Sequence, residues 1–269
     1  MKAALRSAAS SLGLPAAFAC RPLRDLLVAD VPGGVLVVAT DSAGGIGPNP
    51  ADMVEAPARV VGLFTARVAL MEVLAAGADP VALALTVGNA PDIAEEVRRG
   101  ALQTMAAVRL GEAALVVSTE KNVPTVQTAV GATALGWARR RQDLLPGGAR
   151  AGDLVLAVGR PKVGAEVSEA DPTIADPSTV VACRRLPCVH DILPVGSRGL
   201  RAEAVDLAAS AGLRLELRPA PEAPEGLALD LQKSAGPATV VLVAVAPSDV
   251  PQVRSAVGDK PVSVVGIAR

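Results

Sequence analysis

Phe64-Thr65-Ala66-Arg67-Val68-Ala69-Leu70-Met71-Glu72-Val73-Leu74-Ala75-Ala76-Gly77-Ala78-Asp79-Pro80 reads as a buried helix, a stop and the start of a strand. From Gly62 to Ala76 the residues are good helix formers, with Phe64, Val68, Met71 and Ala75 at mixed three- and four-residue spacing. Gly77 supplies the stop, and Pro80 to Val87 continues as an apolar strand. Within this stretch Glu72 is the only carboxylate before Asp79. A charge in such surroundings is expensive unless it is paired or meets a cation. An exposed helical glutamate is the plain alternative, and Arg67 stands five residues away, outside i,i+4 pairing.

Working outward, Val35 to Thr40 reads as a buried strand that runs into the glycine-rich segment Asp41-Ser42-Ala43-Gly44-Gly45-Ile46-Gly47. Asp92 to Val108 reads as an amphipathic helix with Ile93, Val97, Ala101 and Met105 inward, and Ala113 to Ser118 as a strand. Val126 to Trp137 reads as another strand, broken by Gly131. The Arg-, Gly- and Pro-bearing segment 139–150 marks a boundary between domains 1–148 and 149–269. Beyond it, strands are expected at Asp153–Val158, Leu213–Leu217, Thr239–Ala246 and Pro261–Gly266. A helix is expected at Leu200–Ala211, and a Pro- and Asp-rich loop from Pro161 to Pro177. The class is α+β, with a sheet layer covered by helices first and a mixed sheet with helices second.

Composition narrows the function. The 269 residues carry a formal net charge of -1, which gives no basic footprint for nucleic acid. Two Phe, one Trp and no Tyr leave little with which to stack single strands. No apolar run reaches membrane-span length. The N-terminal residues around Lys2 and Arg6 suggest a short amphipathic helix rather than a signal peptide. Cys20, Cys183 and Cys188 are odd in number and suit a reducing, cytoplasmic setting.

Three carboxylates stand out: Asp41 at the end of a strand, Glu72 in the helix, and Glu120 in Ser118-Thr119-Glu120-Lys121-Asn122. Together they suggest one magnesium site assembled by folding, with Asp41 also next to Gly44, Gly45 and Gly47, whose N–H groups can approach phosphate. A strand-to-turn cap for Asp41 and a solvated loop for Glu120 are the plain alternatives. The glycine segment lacks the Lys-Ser/Thr of a P-loop and is no dinucleotide fingerprint. Cys183-x4-Cys188-x-His190 has the wrong spacing and too few ligands for zinc. His190-Asp191 can be read as a catalytic pair or as a structural one, and no Ser-His-Asp set is present.

Several segments, in order, resemble the aminoimidazole ribonucleotide synthetase-like superfamily, which includes thiamine-monophosphate kinase, selenophosphate synthetase and a hydrogenase maturation factor. Phe64 to Pro80 is similar to its Ala-x-Gly-Ala helix end, with Glu72 where relatives carry a metal-binding aspartate. Val117 to Glu120 resembles a Gly-Gly-Asp strand end, and Gly152 to Gly159 the first strand of the second domain. Val189-His190-Asp191-Ile192 with Gly196-Ser197-Arg198-Gly199-Leu200 resembles a His-Asp-x-x-x-Gly-Gly-Gly-Leu segment, interrupted here by Ser197 and Arg198. Ser234-Ala235-Gly236-Pro237 resembles a late Ser-Gly-Gly-Pro. Thr40 to Gly47 and Ser118 to Gly131 further resemble the α-ribazole kinase branch, which phosphorylates the dimethylbenzimidazole nucleoside of the cobalamin lower ligand.

The resemblance implies a homodimer whose N-terminal sheets join in a barrel. It implies ATP and magnesium as cofactors and phosphoryl transfer to a small nucleoside-like acceptor. Asp41, Glu72 and Glu120 would hold the metal, Asp41, Asp191 and Arg198 would serve catalysis, and Gly44, Gly45, Gly47, Lys121 and Asn122 would meet the nucleotide. The rivals are a nucleotide-binding maturation or regulatory protein without kinase activity, a thiamine-monophosphate kinase-like enzyme of other substrate, an amidine-forming synthetase, and an α+β protein with no nucleotide site.

Overall fold

A computed structural model describes residues 19–218 and 229–269. The helix expected near Lys2 and Arg6 lies outside them. The chain opens with a hairpin, β1 (Ala19–Leu23) and β2 (Leu26–Val31), closed by the two residues Arg24-Asp25. Then follow β3 (Gly34–Gly44), the short strands β4 (Ile46–Gly47) and β5 (Val54–Glu55), α1 (Ala58–Ala75), β6 (Asp79–Val87), α2 (Pro91–Ala107), β7 (Leu115–Thr119) and β8 (Ala129–Ala138). Six strands form one sheet in the order β1-β2-β3-β8-β6-β7, while β4 and β5 pair separately.

In β3 and β8 the inward residues Val35, Val37, Ala39, Val130, Ala132, Ala134 and Ala138 are buried. They pack under α1 and α2, whose Ala66, Ala69, Leu70, Val73, Val97, Ala101 and Met105 complete this core. The two helices touch backbone to backbone. A Cβ on Gly100 would stand 1.8 Å from the Arg59 carbonyl oxygen, and one on Gly62 would stand 2.0 Å from that of Val97. Two glycines therefore set the helix separation. Only glycine permits such an approach.

The second half contains β9 (Leu154–Gly159), α3 (Pro177–Arg184), β10 (Val189–Pro194), α4 (Gly199–Ser210), β11 (Leu215–Leu217), β12 (Val240–Val245), α5 (Val250–Val257) and β13 (Val262–Ala268). The sheet order is β10-β12-β9-β13-β11, and every pairing is antiparallel. β9 and β12 are buried at every residue because both faces are covered. Met71, Leu74 and Ala75 of α1, with Val180 and Cys183 of α3 and Val253 of α5, pack on one face. Leu200, Ala204 and Leu207 of α4 pack on the other. The helix α1 thus lies between the two sheets and serves both cores.

Four sequence expectations change. The strand ending at Thr40 runs on to Gly44, because Thr40 to Gly44 pair with Thr133 to Ala129 of β8. Gly131 does not break β8, since it is paired on both sides with Ser42 and Thr86. The second sheet is antiparallel rather than mixed, because β12 enters between β9 and β10. The hairpin β1–β2, the helices α3 and α5 and the strand β10 were not anticipated.

Candidate active site

A cleft of about 860 Å³ lies where the C-terminal end of β3, one face of α1 and two loops of the second half meet. Asp41, Ser42 and Gly44 come from β3, and Ile46 and Val54 from the β4–β5 ribbon. α1 contributes Val60, Val61, Phe64, Thr65 and Val68, which share one side of the helix by their spacing. Val163, Gly164, Ala165, Val167, Ser168 and Glu169 line it too, as do Gly196, Ser197, Ser234 and Gly236.

Two bonded clips hold the loops around β3. The Asp52 carboxylate accepts from the Asn49 N–H at 2.8 Å, the Thr128 N–H at 2.7 Å and the Thr128 hydroxyl at 2.7 Å. These bonds hold its pKa below the ordinary carboxylate value against some desolvation. Buried Asn89 donates to the Thr125 hydroxyl at 2.8 Å and the Gln127 carbonyl at 2.9 Å, and accepts from the Ala129 N–H at 2.9 Å. The segment Val163 to Glu169 is tied at both ends. Arg59 reaches Glu169 through two bonds of 2.7 and 3.0 Å, and Lys233 meets Glu166 at 2.8 Å.

Asp41 is half-buried in this cleft. Burial pushes its carboxyl up to about 6, against the opposing Ser42 N–H. Glu72 is pushed up to about 8, first by burial, then by the negative charges of Asp25 and Glu203, with Arg24 opposing and Asp41 adding. Glu72 does not border the cleft, and of the charges named as acting on it Asp41 contributes least. Glu120 stands apart from both. Its carboxylate accepts from the N–H groups of Asn122 at 2.6 Å and Val123 at 3.1 Å, which hold its pKa down. It borders a separate groove of about 620 Å³ on the outer face of the first sheet, with Ser42, Gly44, Thr86 and Ser118. Among the described residues no three His, Cys, Asp or Glu side chains are placed to hold a metal together. Asp41 alone of the three expected carboxylates lines the cleft.

The other candidates divide likewise. Gly44 lines the cleft, whereas the Gly45 N–H is spent on the Thr128 carbonyl at 2.9 Å. Gly47 serves packing: a Cβ there would stand 2.2 Å from the Thr128 hydroxyl. Lys121 and Asn122 are exposed in the turn after β7 and border neither the cleft nor the groove. Asp191 is fully buried and paired with Arg24, and it accepts the Gly147 N–H at 2.9 Å. Burial raises its pKa, against the Arg24 charge. It anchors the β1–β2 turn and the interdomain segment to β10, so it is a structural group and not an open catalytic one. Arg24 also reaches the Ile192 carbonyl at 3.2 Å and the Ser210 hydroxyl at 2.6 Å. Arg198 is occupied by Glu203 at 3.0 Å and Asp206 at 2.5 Å, and borders a smaller cavity of about 440 Å³ beside Arg24 and Asp25. Its predecessors Gly196 and Ser197 face the large cleft instead. The His190 ring meets Asp153 at 2.8 Å, a second structural pairing.

Solved structures share this architecture. Thiamine-monophosphate kinase from Stenotrophomonas maltophilia matches at a TM-score of 0.59, with 16% identity over 91% of this chain and 89% of that one. The Aquifex aeolicus thiamine monophosphate kinase, determined with AMPPCP and TMP, matches at 0.58, with 14% identity over 99% and 89%. At these identities the likeness is one of fold. Thermotoga maritima PurL complexed with AMPPCP matches at 0.61, with 14% identity, covering 93% of this chain and 41% of that larger one. No protein-family model and no curated protein sequence matches the chain.

Proposed function

We propose that this protein is an ATP-dependent kinase of a small nucleoside-like acceptor, with α-ribazole as the acceptor the sequence resemblance favours. The observation that carries the reading is a cleft lined both by polar groups, among them Asp41, Ser42, Ser197 and Ser234, and by apolar side chains of α1 with Val163 and Val167. Domains 1–148 and 149–269 supply its two sides. The neighbours determined with AMPPCP support nucleotide binding in this architecture.

Phosphoryl transfer asks the protein mainly for positioning and charge stabilisation. Magnesium usually takes one or two carboxylates and fills its remaining positions with phosphate oxygens and water. Asp41 lines the cleft and would supply one such carboxylate. A carboxyl raised by burial, as Asp41 is, gains its full charge when a cation arrives beside it. Magnesium would supply neutralisation of the phosphate charge there. Gly44 and Gly196 leave backbone beside the cleft open to phosphate oxygens, and the Ser197 and Ser234 hydroxyls offer donors to the acceptor.

The dimer belongs to the same reading. The outer face of the six-stranded sheet carries the cross-strand row Leu27, Val38, Leu135 and Ala82, and a second row Thr40, Thr133, Ala84 and Val116. Leu27 is 44% exposed and Val116 64%. A second copy of this sheet would cover them.

The test is transfer of labelled γ-phosphate from ATP to α-ribazole, with thiamine monophosphate as the competing acceptor. A labelled nucleotide product supports the reading. Magnesium-dependent ATP binding with no transfer to either acceptor would favour a nucleotide-binding regulatory protein.

A further inference from the structure

The lining of the cleft is acidic. Three carboxylates border it, Asp41, Glu55 and Glu169, and among the described residues no Lys, Arg or His side chain does. A polyphosphate adds several more negative charges to such a surface, and one bridging magnesium ion neutralises only part of them. Cations must reach the ligand from the rim.

Two cations stand at the rim, each held by a carboxylate of the 163–169 segment. Arg59 lies in the first turn of α1, next to the lining residue Val60. Its guanidinium grips Glu169 with both arms of the fork, Nη2 to Oε1 at 2.7 Å and Nη1 to Oε2 at 3.0 Å. Glu169 itself lines the cleft, so this guanidinium stands one hydrogen bond behind the lining. Lys233 precedes the lining residue Ser234 and meets Glu166 at 2.8 Å. A fork that fits a carboxylate fits a phosphate in the same way.

These two pairs are also the ones that open at little cost. The Glu169 side chain is 37% exposed and that of Glu166 51%, so each carboxylate can turn back to water. Exposed pairs of this kind are weak. Lys162, next to Val163, is held by Asp171, whose side chain is 10% exposed and also bonded by Thr173. Arg198, next to Ser197, is held by Glu203, 4% exposed. Drawing away either of those cations would strand a buried carboxylate, which is costly.

We infer that Arg59 and Lys233 are the phosphate-binding cations of the cleft, and that Glu169 and Glu166 occupy them in the ligand-free protein as stand-ins for phosphate. This assignment rests on the proposed function for its ligand, a polyphosphate. Binding exchanges two protein carboxylates for phosphate oxygens and returns the glutamates to water. The apparent affinity is lowered by the fraction of molecules in which the pairs are closed. Removing a cation and removing its glutamate therefore shift the affinity in opposite directions. For a purely structural pair, either removal does the same harm.

The test is calorimetric binding of inorganic tripolyphosphate and of ATP with magnesium to the full chain and its variants. Arg59→Gln is expected to weaken tripolyphosphate about tenfold, and Lys233→Gln somewhat less, since a bond to a charged group is lost. Glu169→Gln is expected to tighten it roughly threefold, the worth of an exposed pair. In Arg59→Gln/Glu169→Gln that gain should vanish, because no guanidinium is left to release. Glu55→Gln removes the same charge from the lining without freeing a cation, and should change little. An equal gain in Glu55→Gln would overturn the assignment, because general charge would then explain the effect. So would a loss or no change in Glu169→Gln, or wild-type affinity in both cation variants. Undiminished phosphoryl transfer with wild-type ATP affinity in both cation variants would leave the kinase reading standing without them. Opposite shifts in tripolyphosphate affinity with no transfer to any acceptor would remove the kinase reading and keep the assignment. A wild type that binds neither ligand would remove both.

Discussion

The two sheets of this molecule solve burial differently. In the five-stranded sheet, β9 and β12 are buried at every position, with helices on both faces. In the six-stranded sheet, β3 and β8 bury alternate residues under α1 and α2 and leave the other set half-exposed. A solvated antiparallel face normally carries polar residues. Here it carries Leu27, Leu36, Val38, Leu135 and Trp137 instead. The contrast teaches that the second sheet is covered on both faces within one chain, while the first leaves one face partly exposed, the face assigned above to a second copy in the proposed reading. The cleft lies where the covered layer meets the edge of the partly exposed one.

Substitutions on the two sheets should break this comparison apart. Val243→Asp places a charge at a fully buried position of β12 and is expected to cost more than about 4 kcal/mol and abolish folding, seen as loss of a cooperative melting transition. Leu135→Asp on the open face should leave the fold intact but convert a dimer to a monomer by light scattering, with a change in emission from Trp137, the only tryptophan. A monomeric wild type would contradict that face's role.

Next in size is the helix contact. Gly100→Ala forces a Cβ against the Arg59 carbonyl and should destabilise by about 1–3 kcal/mol in urea unfolding. Glu72 gives an effect of opposite sign. Its folded pKa of about 8 lies above the ordinary value, so ionisation disfavours the fold and stability falls as pH rises from about 4.5 through 8. Glu72→Gln should therefore stabilise the ligand-free protein at pH 8 by on the order of 1–2 kcal/mol, seen as a higher melting temperature, and flatten this slope. Asp171 runs the other way. Against its desolvation, Lys162 and Thr173 hold it at about 2, so its contribution is present above the ordinary carboxylate pKa and is lost as pH falls toward 2. The smallest effect belongs to the half-exposed Arg59–Glu169 pair, where Glu169→Gln should cost less than about 1 kcal/mol and less still at high salt.

Much of this fold was legible in the chain. The continuous runs Leu154 to Val158 and Val240 to Val245 have the signature of strands covered on both faces, and Gly77 marks the end of α1 as expected. The hairpin β1–β2 was hidden because its two-residue turn is Arg24-Asp25, with Arg24 at φ 54, where Asn-Gly would have announced it. Asp176-Pro177-Ser178-Thr179 did carry a start signal for α3, an N-cap that accepts the Thr179 N–H at 2.9 Å followed by proline at the first turn, but only eight helical residues follow.

The candidate site was legible in part. Asp41 and Glu72 stand out as lone carboxylates in apolar stretches; folding sets Asp41 in the cleft and Glu72 among the charges of Asp25, Glu203 and Arg24. Glu120 and Asp191 look the same in sequence, yet one is bound by its own turn and the other by Arg24, a residue 167 positions away. No local pattern separates a carboxylate awaiting a cation from one already satisfied by a distant arginine. The clips Asp52–Thr128 and Asn89–Ala129 were missed for the same reason, because each joins loops far apart in the chain.

The central claim is that the cleft between the two layers transfers phosphate beside Asp41. Its most direct measurement is single-turnover transfer of labelled γ-phosphate from ATP to α-ribazole by the wild type and by Asp41→Asn. The account predicts a phosphorylated nucleoside from the wild type and at least about a hundredfold slower transfer by Asp41→Asn, with the fold unchanged by circular dichroism. Equal transfer by the two proteins would contradict it.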